Sequence, residues 1–275
     1  MKNYGKNTKS YKDKNTKNER PMERLPENDE CLAVGRNAVK ELLSGERDIE
    51  KIYVQRGEVE GSIKVLIAMA RERKIPISEL EKQKLDSMAR GLNHQGIIAI
   101  ASERNYSSIE EIISYAEEKG EKPFVILLDG VEDPHNLGAI IRSAECCGAH
   151  GVIIPKRRAV GLTPVVSRAS AGAVEHMRVA KVTNLASTVD ELKELGFWIY
   201  GADMGGKEYY ATDFSGAVCL VLGSEGFGIS RLVREKCDFI VSIPLYGNVN
   251  SMNVSCAGAV LFAEIAKQKH QNGGK

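Results

Sequence analysis

Polar residues that could bind a ligand are concentrated in three short stretches of this 275-residue chain. The first lies at residues 129–138, the second at 223–230 and the third at 246–253. The third stretch carries five polar turn residues: Gly247, Asn248, Asn250, Ser251 and Asn253. A strand-to-helix connection needs only a short turn and a cap. So many amides and hydroxyls in so little chain therefore indicate a binding site.

A helix cap is the simpler interpretation of the third stretch. Ser251 or Asn253 could cap the helix expected to begin near Met252, because Ser and Asn are common N-caps. One cap uses one side chain, so most of the stretch stays unexplained. The site interpretation requires that the other two stretches lie beside this one.

Arg142 adds a cation to the first stretch. Asp133 or Asn136 could cap the helix that carries it, and Arg142, six residues after Asn136, is expected near the same rim. A surface arginine held in ion pairs is the alternative, but Ile140 and Ile141 flank this one. An arginine among apolar neighbours is typically paired with a phosphate or a carboxylate.

The second stretch is rich in glycine but matches no phosphate-binding motif. Gly223, Gly226 and Gly228 stand in the wrong order for a dinucleotide fingerprint, and the chain contains no GK[ST] sequence of a P-loop. What remains is tight backbone around one carboxylate, Glu225. By itself the stretch is a weak indication of function.

Continuous apolar runs predict the strands that position these stretches. The runs are residues 124–128, 151–154, 197–200, 218–222 and 239–243. Strands without polar alternation are covered on both faces, which predicts an α/β fold with a largely parallel sheet. Ligands of such sheets bind beyond the carboxyl ends of the strands, so the three polar stretches are expected to converge there.

Residues 29–104 form a separate, smaller α/β pattern. Strand and helix periodicities alternate, with a short strand predicted at 75–77 and a helix at 79–89. Residues 105–122 predict a charged helix that links this domain to the sheet and packs against it. The main domain is expected to occupy residues 123–275.

Residues 1–28 predict a disordered basic arm, because they offer almost no apolar side chain to bury. Residues 1–20 carry seven Lys or Arg against two acids, a net charge of +5, whereas the rest of the chain has 31 basic and 35 acidic residues. Such an arm suits a polyanion. A solubilising extension is an equally good interpretation.

Composition narrows the class of protein. Hydrophobic residues make up 43% and charged residues 27% of the chain, which is ordinary for a soluble globular protein. No apolar run approaches the roughly 18 residues of a membrane helix, and no signal peptide is evident, so a cytoplasmic location is expected. The six cysteines and five histidines lack metal-ligand spacing, so no metal site is expected.

The three polar stretches resemble the motifs of one family. The patterns D-P-x-N-L-G-x-I-x-R from Asp133, L-V-x-G-x-E-G-x-G from Leu220 and I-P-x-x-G-x-x-x-S-x-N-V-S from Ile243 are similar to those of the SpoU (TrmH/SPOUT) RNA 2′-O-ribose methyltransferases. The segment 167–173 resembles the family's serine- and alanine-rich segment. The resemblance spans residues 124–270.

This resemblance implies a fold, a cofactor and partners. The fold would be a C-terminal trefoil-knotted SPOUT domain with a parallel sheet, preceded by a small L30e-like RNA-binding domain. The cofactor would be S-adenosylmethionine, and the protein would act as a homodimer with its sites at the interface. The front domain most resembles that of the bacterial subfamily that methylates a guanosine ribose in the peptidyl-transferase region of 23S rRNA.

The resemblance also implies roles for single residues. Backbone groups around four residues would hold the cofactor: Gly223, Ile243, Leu245 and Met252. Five side chains would be catalytic or would position the substrate: Asn136, Arg142, Glu225, Ser251 and Asn253. A guanidinium holds its proton too firmly to act as a base. Arg142 is therefore expected to anchor the target phosphate.

Two other functions agree with the same residues. One is 2′-O-methylation of tRNA, or of an adenosine. The other is an RNA-binding factor of ribosome assembly that has no catalytic activity, although the presence of all five polar side chains argues against it.

Overall fold

A computed structural model describes residues 31–45, 47–57, 61–102 and 105–272. The arm predicted at residues 1–28 lies outside the described residues. The front part of the chain contains seven elements in this range: β1 (Leu32–Val34), α1 (Arg36–Ser44), β2 (Ile49–Gln55), α2 (Ser62–Glu72), β3 (Ile77–Leu80), α3 (Lys82–Met88) and β4 (Ile97–Ala101).

The front sheet is mixed, in the order β1-β4-β2-β3. Strand β4 runs antiparallel to both β1 and β2, while β2 and β3 are parallel. Every residue of β4 is buried, because α1 and α2 cover one face of the sheet and α3 covers the other. The predicted small α/β layer is therefore present.

Two predicted boundaries in this sheet are wrong. The strand expected at 75–77 runs instead from Ile77 to Leu80, and the helix expected from Glu79 begins at Lys82. Parallel pairing explains the shift, since Ile77 lies opposite Ile52 and the ladder continues for the rest of the strand. A short apolar tripeptide cannot indicate where its partner strand lies.

The remaining elements build a second layered structure. They are α4 (Ile109–Glu118), β5 (Phe124–Asp129), α5 (Pro134–Cys146), β6 (Gly151–Pro155), α6 (Pro164–Ala169), β7 (Arg178–Val182), α7 (Leu185–Glu194), β8 (Phe197–Glu208), β9 (Ala217–Gly223), α8 (Arg231–Lys236), β10 (Phe239–Ser242) and α9 (Val254–Asn272). All five predicted strands are present. Strand β7 was not predicted, because Arg178 and Lys181 interrupt its apolar run. It lies at the edge of the sheet.

The second sheet is parallel throughout, in the order β10-β8-β9-β5-β6-β7. Its two faces carry separate apolar clusters, one under α5 and α9 and the other under α4, α7 and α8. This confirms the parallel sheet covered on both faces. The trefoil knot implied by the resemblance stays a prediction.

Helix α5 begins at a built N-cap and lies unusually close to α6. The Asp133 side chain accepts a hydrogen bond from the backbone N–H of His135 at 2.9 Å, and Pro134 occupies the first helical position. A Cβ on Gly138 would lie 2.4 Å from the Cβ of Ala169, so only glycine permits this approach. The beginning of α5 is thereby fixed beside the carboxyl end of β5.

The predicted linker packs against the second sheet. Ser108 and Glu111 form a reciprocal capping box at the start of α4. Ile112 of this helix is fully buried and fills the space above Gly151, where a Cβ would lie 2.5 Å from the Ile112 side chain. None of the described helices is long and apolar enough to cross a membrane.

Candidate active site at the carboxyl ends of the strands

Parallel pairing brings the first two polar stretches side by side. Strands β5 and β9 are neighbours, with Asp129 opposite Gly223 at their carboxyl ends. The Asp129 carboxylate accepts a hydrogen bond from the backbone N–H of Ser230 at 2.8 Å, which ties the loop after β9 to the end of β5. The predicted convergence of these two stretches is confirmed.

Asn136, Glu225 and Asn253 form a closed ring of hydrogen bonds, one residue from each polar stretch. The Asn136 amide donates to the Glu225 carboxylate at 3.0 Å, and the Asn253 amide donates to the Asn136 carbonyl oxygen at 2.9 Å. Asn253 also donates to the same oxygen of Glu225. Residues 89 and 117 positions apart are thus locked together at one edge of the sheet.

Asn253 also caps helix α9. Its side-chain oxygen accepts hydrogen bonds from the backbone N–H groups of Ser255 at 3.0 Å and Cys256 at 3.3 Å, and from the Ser255 hydroxyl at 2.6 Å. The helix starts at Val254, two residues later than expected. The cap interpretation of this residue is correct, and the opposite end of the same amide joins the ring, so the cap does not exclude a role in the site.

A cavity of about 430 Å³ opens beside this ring. All four residues predicted to hold a cofactor line it, as do two of the predicted catalytic residues: Gly223, Ile243, Leu245, Met252, Glu225 and Ser251. Its volume lies within the ~300–1,000 Å³ typical of ligand sites. Leu222 and Leu261 add apolar wall, so the cavity offers both apolar and polar contacts.

Backbone groups along the third stretch are free to bind a ligand. Within the described part of the chain, no backbone N–H or C=O from Leu245 to Met252 is hydrogen-bonded to another backbone group. This stretch borders the cavity at Leu245, Asn250, Ser251 and Met252. Unpaired donors and acceptors beside apolar wall suit a ligand that has both polar and apolar groups.

The glycine-rich loop after β9 forms the other side of the cavity. Ser224 and Gly228 exchange two backbone hydrogen bonds, of 3.0 and 2.9 Å, which closes residues 224–228 into a tight turn. A Cβ on Gly223 would lie 2.1 Å from the Gly228 carbonyl carbon. The turn therefore requires glycine at 223, and it presents Glu225 at its tip.

Arg142 does not join the ring. Six helical residues rotate a side chain by about 240° relative to Asn136, so the two do not share a face of α5. The Arg142 side chain is exposed, and among the described residues it makes no hydrogen bond or ion pair. Arg142 stands in the second half of α5, so the expectation that it lies at the same rim as Asn136 is wrong.

Strand β8 contributes residues to the cavity that the sequence patterns did not reveal. Asp203 and Met204 line it, and the Asp203 carboxylate accepts a hydrogen bond from Arg234 at 2.8 Å. The apolar run predicted a strand that ends at Tyr200, whereas β8 continues to Glu208. The extension pairs with β10 across a register shift, a long-range feature without a local signal. No group of His, Cys, Asp or Glu side chains suited to a metal ion occurs in the described ranges.

The front domain carries a larger groove, of about 840 Å³. Its wall includes three cations and three amides: Arg36, Lys40, Lys82, Asn37, Asn93 and Gln95. His94, in the loop before β4, is buried and structural. Its ring accepts a hydrogen bond from the Gly96 backbone N–H at 2.9 Å and contacts Asp86 at 3.1 Å.

Two family models match this chain. The SpoU rRNA Methylase family matches residues 123–263, and a domain described as RNA 2′-O ribose methyltransferase substrate binding matches residues 32–107. A TrmH family tRNA/rRNA methyltransferase of Bacillus subtilis is 44% identical over 241 residues, covering 87% of this chain and 96% of that protein. One from Staphylococcus haemolyticus is 43% identical over 248 residues, covering 89% and 98%.

Solved structures share the fold. The SpoU methyltransferase AviRb from Streptomyces viridochromogenes, crystallised with AdoMet, has a TM-score of 0.74 at 22% identity, covering 89% of this chain and 91% of that chain. An RNA methyltransferase of the TrmH family from Porphyromonas gingivalis has a TM-score of 0.69 at 25% identity, covering 87% and 89%.

A parallel sheet with a ligand cavity beyond its strand ends, joined to a substrate-binding domain, defines an RNA methyltransferase of two parts. The chain belongs to the SpoU rRNA Methylase family. The predicted family, enzyme class and methyl donor, S-adenosylmethionine, are confirmed at this level.

Proposed function

We propose that this protein transfers the methyl group of S-adenosylmethionine to the 2′-hydroxyl of a guanosine ribose in 23S rRNA. The observation that carries the proposal is the ring of Asn136, Glu225 and Asn253 at the rim of a cavity with free backbone groups. A methyl donor in that cavity and a ribose at the ring would meet at one edge of the sheet.

The cofactor supplies a methyl group on a sulfonium, which is already a good leaving group. The protein must therefore place one hydroxyl in line and exclude water. Ring members Glu225 and Asn253 hold the loops, because their polar atoms are used in binding each other and Asn136. Asn136 keeps one amide hydrogen that can orient the ribose, and Ser251 is exposed at the cavity wall for the same purpose.

Gly223, Ile243, Leu245 and Met252 border the space for the cofactor. Arg142 anchors the target phosphate, since its side chain does not face the ring where the attacking oxygen would lie. Its exposure and lack of any partner among the described residues support this role, since the guanidinium is available to an incoming anion.

RNA recognition is divided between the two parts of the chain. We assign residues 29–104 to substrate binding, 105–122 to the link and 123–275 to methyl transfer. The groove with Arg36, Lys40 and Lys82 supports a backbone grip on RNA by the front domain. Methylation of tRNA remains the second candidate, because the Bacillus subtilis relative is named as a tRNA/rRNA methyltransferase.

A homodimer completes this proposal. Helix α9 carries the exposed small residues Cys256 and Ala263, two helical turns apart on one face, next to its buried face. Residues seven positions apart lie on one face of a helix, so both small side chains are open to a single partner surface. A second copy of the chain is the proposed cover.

Transfer of tritium from methyl-labelled S-adenosylmethionine to unmodified 23S rRNA and tRNA transcripts tests the function. Label in the 23S transcript at a ribose is expected. Label in tRNA alone would show that tRNA, and not 23S rRNA, is the substrate. Cofactor binding without transfer to either RNA would favour the non-catalytic assembly factor.

Arg142→Lys keeps the charge but removes the planar pair of donors. We expect methyl transfer to fall by about tenfold or more, because hydrogen bonds to charged groups contribute ~1.5–3 kcal/mol. Cofactor affinity, measured by calorimetry, should be unchanged. Transfer at the wild-type rate would refute the bidentate role of Arg142.

A further inference from the structure

Three consecutive cations, Lys156, Arg157 and Arg158, follow strand β6 and are not used by the site described above. All three side chains are exposed. Within the described ranges none of them makes a side-chain hydrogen bond or an ion pair. We call these three residues the basic ridge.

The charge around the basic ridge is not balanced locally. Residues 146–174 contain four Lys or Arg residues, which are the three of the ridge and Arg168. The same segment contains no Asp or Glu. Some other exposed cations of the same domain have carboxylate partners, for example Arg231 with Glu235 at 3.1 Å and Arg234 with Asp203 at 2.8 Å. An ordinary solvated surface would mix the two signs, so this ridge is set apart from the rest of the domain.

The sheet places the ridge beside the candidate active site. Strands β5 and β6 are parallel neighbours, with Leu127 opposite Ile153. The two strands end two residues further on, at Asp129 and Pro155. The ridge therefore begins next to the loop that leads to Asn136.

The loop that carries the ridge is fixed by a backbone hydrogen bond and by packing against the core. The Lys156 backbone N–H donates to the Val182 carbonyl at 2.7 Å, and Leu162, at the far end of the loop, is buried. Ala159 and Val160 pack against the main core. With its apolar residues turned inward, the loop presents the three cations outward on a fixed base.

Arg158 adopts a backbone conformation that L-residues avoid, with a φ of 58°. This left-handed conformation is unfavourable for a non-glycine residue, because the Cβ lies too close to the following carbonyl oxygen. Glycine or asparagine would adopt it more easily. Four other non-glycine residues of the described chain have such a φ, so this conformation by itself indicates no function; it makes glycine the suitable replacement at 158.

The loop also leads toward the front domain. It runs from the end of β6 into α6, and α6 contacts β1 of the front sheet. An RNA strand that reaches from the front groove to the ribose at the ring would pass this segment. Backbone phosphates are the anions that such a strand presents at every nucleotide.

We propose that Lys156, Arg157 and Arg158 bind backbone phosphates of the RNA strand next to the ribose that is methylated. This inference rests on the proposed function, since it takes RNA as the substrate. The contacts carry no sequence information; they set the register of the strand over the active site.

The test compares two triple variants that each remove three positive charges. The first is Lys156→Ala with Arg157→Ala and Arg158→Gly, where glycine suits the left-handed φ at 158. The control is Lys119→Ala with Lys122→Ala and Lys267→Ala, exposed cations at the opposite edge of the sheet. Each is assayed for binding of a short fluorescent single-stranded RNA over a series of KCl concentrations, and for methyl transfer to unmodified 23S rRNA.

The ridge variant should weaken RNA binding about tenfold or more at low salt, and its log–log salt slope should fall by about 2, since each phosphate contact contributes ~0.7 for single strands. Its KM for RNA should rise while its affinity for S-adenosylmethionine stays at the wild-type value. The control variant should keep the wild-type slope. A charge-keeping variant, Lys156→Arg with Arg157→Lys and Arg158→Lys, should restore most of the salt slope.

Equal slopes for the ridge and control variants, in a preparation whose wild type methylates RNA, would overturn the inference. Absence of methyl transfer by the wild type itself would instead refute the proposed function. If the ridge variant loses cofactor binding, Arg157→Gln replaces it. That single change must lower the slope by about 0.7, and an unchanged slope overturns the inference.

Discussion

At the scale of single residues, the side-chain amide of Asn253 has two structural roles. Its oxygen caps α9, and its nitrogen donates to Asn136 and Glu225. The start of the last helix and the alignment of the three loops are thus coupled through one side chain. Few other residue types can accept and donate in fixed opposite directions.

Replacing Asn253 by Asp should keep the helix cap and remove the hydrogen bonds that the amide donates to the ring. Aspartate caps a helix as well as asparagine does, so the free energy of unfolding in urea should change little from the cap. The variant lacks both donated hydrogen bonds and sets a second carboxylate against Glu225, so methyl transfer should fall by about tenfold or more.

Asn253→Ala is the matched comparison, because it removes the cap as well. It should cost about 0.5–2 kcal/mol of stability in addition to the loss of transfer. Wild-type transfer by Asn253→Asp would show that the ring is not required for catalysis.

At the scale of elements, His150 fixes the start of the central strand β5. Its ring nitrogen accepts a hydrogen bond from the Phe124 backbone N–H at 3.0 Å, and its other nitrogen contacts Glu121 at 3.0 Å. The residue is 1% exposed. Burial lowers the pKa of His150 below its ordinary value, against the opposing effect of the Glu121 carboxylate.

Stability should therefore decrease as the pH falls below about 6.5, the ordinary value for histidine. In that range the unfolded chain takes up a proton that folded His150 resists, so unfolding is favoured. His150→Asn should flatten this acid limb, since the asparagine oxygen can accept from Phe124 without titrating. Urea unfolding of both proteins between pH 5 and 8 measures the difference, and parallel pH profiles would contradict the assignment.

At the scale of the whole molecule, the front domain and the methyltransferase domain meet through specific contacts. Glu41 of α1 lies 3.0 Å from His176, and a Cβ on Gly172 would lie 2.1 Å from the Glu41 side chain. Residue Arg47 pairs with Glu175 at 4.0 Å. These contacts give the groove of the front domain a defined position relative to the candidate active site.

The proposed dimer is also a property of the whole molecule. Ala263→Arg replaces one of the two exposed small residues of α9 by a long cation and should shift the protein from dimer to monomer in sedimentation experiments. Lys64→Glu, a surface change on α2, is the control and should leave the dimer intact. A monomeric wild type, or a dimeric Ala263→Arg variant, would refute this interface.

Local patterns in the sequence were enough to predict the parallel sheet and the family. Continuous apolar runs such as 124–128 and 218–222 indicate strands that are buried on both faces. This pattern can be recognised within each segment, without knowledge of its partners. The motifs around Asn136, Glu225 and Asn253 likewise needed no structure to be noticed. Each of them lies where its own strand ends.

Only the tertiary structure decided which of these residues meet. The ring among Asn136, Glu225 and Asn253 depends on β5 and β9 being neighbours, whereas Arg142 faces elsewhere because of the helical turn between it and Asn136. The extension of β8, the pairing of β3 and the place of the basic ridge at the end of the strand next to β5 depend in the same way on strand order and register. Those are set by contacts between distant segments, and a pattern within one segment holds no information about its partner.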